Sequence, residues 1–108
     1  LVMGFTFKEN CPDIRNTKVI DIVEELEEFG CNVDIYDPWV NNKDMENDFN
    51  RQLVENLFES SKRYDAIVVC VAHQQFKELT DNDYQLISEG LPIILDVKGI
   101  VEQPSWRL

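Results

Sequence analysis

The chain has 108 residues, 44% of them hydrophobic, which is enough for one domain whose core needs no disulfide or structural metal. Its formal net charge of -11 argues against duplex DNA or RNA as a partner, because the long-range field repels a polyphosphate. No apolar run reaches the roughly 18 residues of a membrane-spanning helix, and the first residues lack the basic region of a signal peptide, so we expect no membrane partner.

The first third of the chain predicts a βαβ unit. Residues 1–7 are apolar and favour a buried strand, and a polar loop follows at 8–16. Between 17 and 29, apolar residues recur at spacings of three and four, which predicts an amphipathic helix that ends at Gly30. Residues 32–37 predict a second strand, so we expect parallel pairing through a right-handed crossover.

Residues 41–64 leave two interpretations open. In the first, 41–50 is a short helix or an irregular acidic segment, 52–54 is a short third strand, and a helical turn follows. In the second, one continuous helix covers 45–63. Gln52-Leu53-Val54 could form the short strand, and we favour the first interpretation.

The second half of the chain predicts the strands that complete the sheet. Residues 66–72 are almost all apolar and β-branched, as in a central parallel strand. Thr80 is expected to cap a helix through Ser88, with Asp83 as the acid of a capping box, and 91–97 is the last strand. This alternation predicts an α/β fold: a Rossmann-like, doubly wound, mostly parallel sheet of about five strands with flanking helices, in a single domain.

The three cysteines, Cys11, Cys31 and Cys70, predict reduced thiols in a cytoplasmic protein, because they are odd in number and lack CxxC spacing. A zinc site is disfavoured because the chain has one His, so no metal is expected. Cys31 and Cys70 lie at or in apolar runs and are predicted to belong to the core. Cys11 lies in the loop after the first strand.

Polar groups follow three of the predicted strands, at the edge where parallel α/β sheets bind ligands. Lys8 and Arg15 follow the first strand, His73 the central strand and Lys98 the last. The ammonium groups suit a diphosphate, and Arg15 can bind phosphate through two N–H groups, although spacing alone favours ordinary solvated cations. A lone His beside a buried strand is more often a structural hydrogen-bonding group than an acid or base.

The usual dinucleotide-binding fingerprint is absent from the sequence. Phe7-Lys8-Glu9-Asn10 stands where GxGxxG would follow the first strand. Asp37 occupies the place of a ribose-binding acid, but capping the turn after it is the better explanation. The glutamates at 24–28 predict a solvated helix face. Trp39 and Trp106 are each expected to be buried or to lie in a subunit contact. We predict no catalytic residue in this chain.

Five segments together carry a resemblance to a known family. They resemble, in the same order and over essentially the whole chain, the C-terminal UDP-binding domain of the UDP-glucose/GDP-mannose dehydrogenase family. The first segment looks most like the branch that oxidises UDP-N-acetylhexosamines for bacterial surface polysaccharides. The segments are GFTFKENCPDIRNTKVIDIV, VDIYDP at 33–38, AIVVCVAH at 66–73 with Phe76, ILDVK at 94–98, and WRL at 106–108.

The resemblance implies that residues 1–108 are the UDP-sugar-binding domain of a longer NAD-dependent UDP-sugar 6-dehydrogenase. In that family an N-terminal Rossmann domain holds NAD, a central helical region forms the dimer, and a catalytic Cys takes part in oxidising the sugar C6 hydroxyl to a carboxylate. The chain carries neither the glycine fingerprint nor the catalytic Cys motif, and it begins without Met. We therefore expect an inactive fragment, whose partners are the UDP-sugar and the other domains of a homo-oligomeric polypeptide.

The resemblance also assigns site residues. Phe7 and Lys8 match the pair at the strand end that contacts the UDP moiety, and Arg15 matches an arginine on the NAD side of the interdomain cleft. Lys98 matches a position where glucose-type members often have Arg, so it keeps the charge but loses a two-pronged contact. The alternative function is a non-catalytic Rossmann-like regulatory or interaction module, which predicts a closed ligand cleft.

Overall fold

A computed structural model describes residues 1–107; Leu108, the last residue of the predicted domain, lies outside the described residues. The strands are β1 (Val2–Met3), β2 (Ile35–Tyr36), β3 (Ile67–Val69), β4 (Ile94–Asp96) and β5 (Trp106–Arg107). The helices are α1 (Val19–Glu28), α2 (Asn42–Phe49), α3 (Gln74–Lys77) and α4 (Asp81–Leu86). The five strands are all parallel and lie in the order β2-β1-β3-β4-β5, which confirms the predicted sheet.

The two faces of the sheet are covered by different helices. Side chains alternate along a strand, so neighbouring residues Val2 and Met3 of β1 enter separate hydrophobic clusters. The cluster of Val2 includes residues of α1 and α2, and the cluster of Met3 includes residues of α3 and α4. This arrangement is the predicted doubly wound fold. The buried helical residues are Val19, Val23 and Met45 on the first face, and Phe76 and Tyr84 on the second.

Gly4 ends β1 and lets it pass close to the end of β3. Its φ of +93° lies in the left-handed region, and a Cβ built at this position would lie 2.6 Å from the Cβ of Val71. Only glycine tolerates both conditions without strain. The first strand is therefore shorter than the predicted 1–7, and the chain turns at Gly4 into a long connection, residues 4–18, that leads to α1.

The second strand leads into a segment where the prediction is only partly right. Helix α2 confirms the short helix of the first interpretation, and the continuous helix at 45–63 is wrong. The predicted strand at 52–54 is also wrong. The Leu53 N–H donates to Asn42 Oδ1 (3.1 Å), while Val54 makes one backbone hydrogen bond to β2 (2.8 Å). A side-chain acceptor thus takes a donor that a strand would need.

The remaining predictions divide between confirmed and wrong. Cys70 is buried as predicted, but Cys31 is exposed, because it lies in the connection that follows the end of α1 rather than on a strand. The capping box of α4 is confirmed, with Thr80 and Asp83 bonded reciprocally. No helix within residues 1–107 combines the length and the apolar character needed to cross a membrane.

Candidate functional site

A pocket lies at the carboxyl edge of the sheet, where the chain leaves β1, β3 and β4. Its volume is about 290 Å³, and the first turn of α1 forms one of its walls. Phe7, Lys8 and Lys98 all line it, so the structure brings together three of the four predicted site residues. Phe7 is 55% exposed although it is a large apolar side chain, which makes a flat surface available for a ligand.

Three lysines and one acid, Glu9, line this one pocket although the chain carries a net charge of -11. Two of the lysines, Lys8 and Lys98, were predicted from the sequence, and the third is Lys18. Lys18 immediately precedes α1, and a cation at a helix N-terminus opposes the helix dipole. That unfavourable placement was the sequence signal that could have identified it. The local charge of the pocket therefore suits an anion.

Arg15, the fourth predicted residue, lies outside the pocket lining on the same connection between β1 and α1. Its side chain is 82% exposed and forms an ion pair with Asp13, Nε to Oδ1, at 3.4 Å. The backbone N–H of Arg15 also donates to Asp13 (2.9 Å), and this hydrogen bond lowers the pKa of the Asp13 carboxyl. Arg15 thus does not line the pocket together with the three lysines.

A buried carboxylate holds the beginning of this connection in place. Asp37, at the end of β2, is 4% exposed, and its Oδ2 accepts from the backbone N–H groups of Phe5 (2.6 Å) and Thr6 (3.2 Å). Its Oδ1 accepts from the Trp39 N–H (2.8 Å), which confirms the predicted turn cap. Sequence reasoning missed the other bonds, because the partners are more than 30 residues away in the chain.

His73 is fully buried beside Asp37, which confirms the predicted structural role. Its Nε2 lies 2.9 Å from Asp37 Oδ2 and 3.2 Å from Thr6 Oγ1, and its Nδ1 accepts from the Asn10 N–H (3.0 Å). Trp39 stacks on the ring at a centroid distance of 6.1 Å. Trp39 is half-buried, as expected, whereas Trp106 is 49% exposed on β5.

A second buried carboxylate holds the loop that carries Lys98. Asp96, at the end of β4, is fully buried; its Oδ1 accepts from the Gly99 N–H (2.8 Å) and its Oδ2 from the Val101 N–H (2.7 Å). Arg107 of β5 approaches the same carboxylate, Nε to Oδ2, at 3.5 Å. Both cationic loops of the pocket are therefore fixed through their backbones by acids at strand ends.

A larger pocket, of about 460 Å³, lies at the opposite edge, where the strands begin. Leu1 and Cys31 line it together with an ion pair between Lys62 and Asp34 (2.6 Å). None of the predicted site residues lines it. Ligands of parallel α/β sheets bind at the carboxyl edge, so the smaller, cationic pocket is the better candidate.

The three lysines and the exposed Phe7 ring of the cationic pocket are groups that can bind a ligand. Among residues 1–107, no group of three or more His, Cys, Asp or Glu side chains is arranged to hold a metal ion. Cys70 lines the pocket, but burial raises the pKa of its thiol to about 12, an effect that the charge of Lys98 only partly offsets. The connection at 4–18 has no glycine-rich turn after Gly4, so it does not fit the pyrophosphate of NAD.

Comparison with known proteins shows what the chain as a whole is similar to. Residues 1–103 match the model of the UDP binding domain of the UDP-glucose/GDP-mannose dehydrogenase family. The chain is 44% identical to UDP-N-acetyl-D-glucosamine 6-dehydrogenase of Salmonella typhi, with 100% of the chain and 25% of that protein covered. It is 39% identical to protein CapL of Staphylococcus aureus, with 99% and 26% covered. The chain thus spans about a quarter of the length of these relatives.

Solved structures agree with the fold. The UDP-N-acetyl-mannosamine dehydrogenase Cap5O of Staphylococcus aureus aligns with a TM-score of 0.73 at 25% identity, over 94% of this chain and 22% of the other. The UDP-D-ManNAc dehydrogenase of Pyrococcus horikoshii aligns with a TM-score of 0.72 at 28% identity, over 96% and 22%. Both alignments confine the likeness to about a fifth of the neighbouring chain.

Proposed function

Because the chain belongs to the UDP-glucose/GDP-mannose dehydrogenase family, as its UDP-binding domain, we propose that the cationic pocket binds the UDP moiety of a nucleotide sugar. The observation that carries this proposal is the convergence of three lysines on one pocket of a strongly acidic chain. Lys8, Lys18 and Lys98 would neutralise the diphosphate, and the exposed ring of Phe7 would pack against the ligand.

The complete protein, in this proposal, is an NAD-dependent UDP-sugar 6-dehydrogenase that acts on a UDP-N-acetylhexosamine. The names of the Salmonella typhi and Pyrococcus horikoshii relatives support that substrate class. Residues 1–108 would be one domain of it, inactive alone, and the NAD-binding and central domains would complete a homo-oligomer. Reduced thiols at Cys11, Cys31 and Cys70 support a cytoplasmic location.

NAD would be bound mainly by the domain that carries the glycine fingerprint. Arg15 is the residue of this chain that we assign to the cofactor side, since its guanidinium is exposed and lies outside the pocket. NAD would supply the hydride acceptor for oxidation of the sugar. The residues of this chain would bind and orient the nucleotide, and the open pocket disfavours the alternative of a regulatory module with a closed cleft.

Calorimetric titration of the chain with UDP tests the binding proposal. We expect Lys8→Ala to weaken binding at least about tenfold, because one charge-assisted contact contributes about 1.5–3 kcal/mol. Lys77→Ala is the matched control: it removes the same charge from an exposed position on α3, outside the pocket lining. Equal dissociation constants for Lys8→Ala and the unmodified chain would refute the role of Lys8.

The substrate proposal needs the full-length protein. NADH formation should be measured with NAD and a panel of UDP-sugars that includes UDP-glucose and UDP-N-acetylhexosamines. We expect turnover with an N-acetylhexosamine and much weaker turnover with UDP-glucose. A preference for UDP-glucose would contradict the proposed substrate class while leaving the UDP site intact.

A further inference from the structure

We propose that His73 is the positioning residue of the UDP site: its neutral ring holds the backbone around Lys8 in the conformation that places the Lys8 ammonium in the pocket. This inference rests on the proposed binding of UDP. It assigns to the imidazole a role in ligand affinity, beyond its contribution to the core.

The hydrogen bonds of the ring define its proton. Nδ1 accepts from the backbone N–H of Asn10 (3.0 Å), so it carries no hydrogen of its own. The proton therefore lies on Nε2, which donates to the carboxylate of Asp37 (2.9 Å). The ring is the neutral Nε2–H tautomer, with one nitrogen anchored on the end of β2 and the other bonded to the connection between β1 and α1.

The ring cannot turn to follow the connection. Trp39 stacks on it, and Phe76 packs against it edge-on, with centroids 5.3 Å apart. His73 itself is 0% exposed. Because its position is set by β2, β3 and the aromatic neighbours, the acceptor Nδ1 is a fixed point against which the connection is held.

The connection needs such a fixed point, because it is held in an unfavourable conformation. Asn10 has a φ of 55°, in the left-handed region that costs a residue other than glycine about 1–2 kcal/mol. Two hydrogen bonds retain it: its N–H donates to His73 Nδ1, and its Oδ1 accepts from the Gln74 N–H (2.9 Å). Nearer β1, Thr6 Oγ1 contacts His73 Nε2 and donates to the Lys8 carbonyl (2.9 Å).

The backbone from the Lys8 carbonyl to Asn10 is therefore held at two points by groups that contact the same imidazole. Thr6 bonds the Lys8 carbonyl, and His73 bonds the N–H two residues later. Loss of the Nδ1 acceptor would free the segment to leave the left-handed conformation. The ammonium of Lys8 would then occupy the pocket for a smaller fraction of the time, and the affinity for UDP would fall.

Two variants separate the contacts of the ring. In His73→Gln the side-chain amide can reach the place of Nε2 and donate to Asp37, but the acceptor for Asn10 is lost. In His73→Asn the amide oxygen takes the place of Nδ1 and accepts from Asn10, but the bond to Asp37 is lost. Both variants lose the ring packing against Trp39 and Phe76, so each is the control for the other.

We expect both variants to lower the midpoint of urea unfolding by similar amounts. Only His73→Gln should weaken UDP binding, by about tenfold, whereas His73→Asn should stay within about twofold of the unmodified chain. Equal affinities of the two variants, or affinities that simply follow the urea midpoints, would overturn the proposal.

Two further measurements need no bound ligand. Exchange of the Asn10 amide proton should be slow in the unmodified chain and in His73→Asn, and fast in His73→Gln. His73 is the chain's one histidine, so its ring nitrogens can be assigned directly by nitrogen-15 NMR. A charged ring or the Nδ1–H tautomer would overturn the inference even if neither variant folds. Failure of the unmodified chain to bind UDP would instead refute the proposed function.

Discussion

Replacing Asp37 with alanine should destabilise the domain more than any other single loss of charge at this edge of the sheet. The substitution leaves three backbone donors unpaired, the N–H groups of Phe5, Thr6 and Trp39. It also removes the nearer of the two oxygens beside Nε2–H of His73, which keeps only Thr6 Oγ1 at 3.2 Å. Each unsatisfied buried donor costs about 1–3 kcal/mol, but the costs overlap where water can enter the space left by the side chain. We expect a loss of about 4 kcal/mol, a large part of the roughly 5–15 kcal/mol typical of a domain.

Urea unfolding of three variants tests this reasoning. In Asp37→Asn the amide oxygen can still accept at the place of Oδ2, so we expect a loss of only about 1–2 kcal/mol. Asp48→Ala removes an equal charge from an exposed position in α2 and should change stability by less than about 0.5 kcal/mol. If Asp37→Ala were as stable as Asp48→Ala, the Asp37 carboxylate would not stabilise the backbone that follows β1, and the reasoning would be refuted.

Two other consequences can be checked on the same chain. Gly4→Ala should lower the free energy of unfolding by about 3 kcal/mol in urea titrations, because left-handed strain adds to a contact between the new Cβ and the backbone N of Val71 at 2.8 Å. The control Gly90→Ala, with φ +73° and no atom within 4 Å of the added Cβ, should lose only about 1 kcal/mol. Equal losses in the two variants would contradict the steric clash with Val71. A water-soluble alkylating reagent at mildly alkaline pH should modify exposed Cys31 rapidly and Cys70 only after unfolding, because burial holds the pKa of Cys70 near 12. Early labelling of Cys70 would show that the residue after β3 is not buried as described.

The sequence was sufficient for the elements that are long or continuously apolar. The spacing of apolar residues predicted α1, and the continuous apolar run that includes Ile67–Val69 predicted the central strand β3. Strands of two residues carry no periodicity, so β5 at Trp106–Arg107 could not be distinguished from an irregular tail. Its place is set by pairing with β4, in which Leu95 lies opposite Trp106.

For the candidate site, the sequence could identify residues that line the pocket but not the residues that hold them in place. Lys8 and Lys98 could be found because each follows a strand, and the ligand edge of a parallel sheet is known in advance. The residues that hold them could not. Asp37 bonds Phe5 across 32 positions and His73 across 36, and no local pattern reveals such partners. Asp96 bonds nearer residues, but its carboxylate resembles any acid at the end of a strand.

The two buried acids bind backbone N–H groups, which every residue except proline possesses. The shape of the loops around Lys8 and Lys98 therefore depends little on which side chains the loops display. Asp37 and Asp96 support the backbone at this edge of the sheet, while the side chains at 7, 8 and 98 are exposed on it. On the proposed function, we expect substitutions at these three positions to alter the affinity for the ligand without unfolding the edge that supports them.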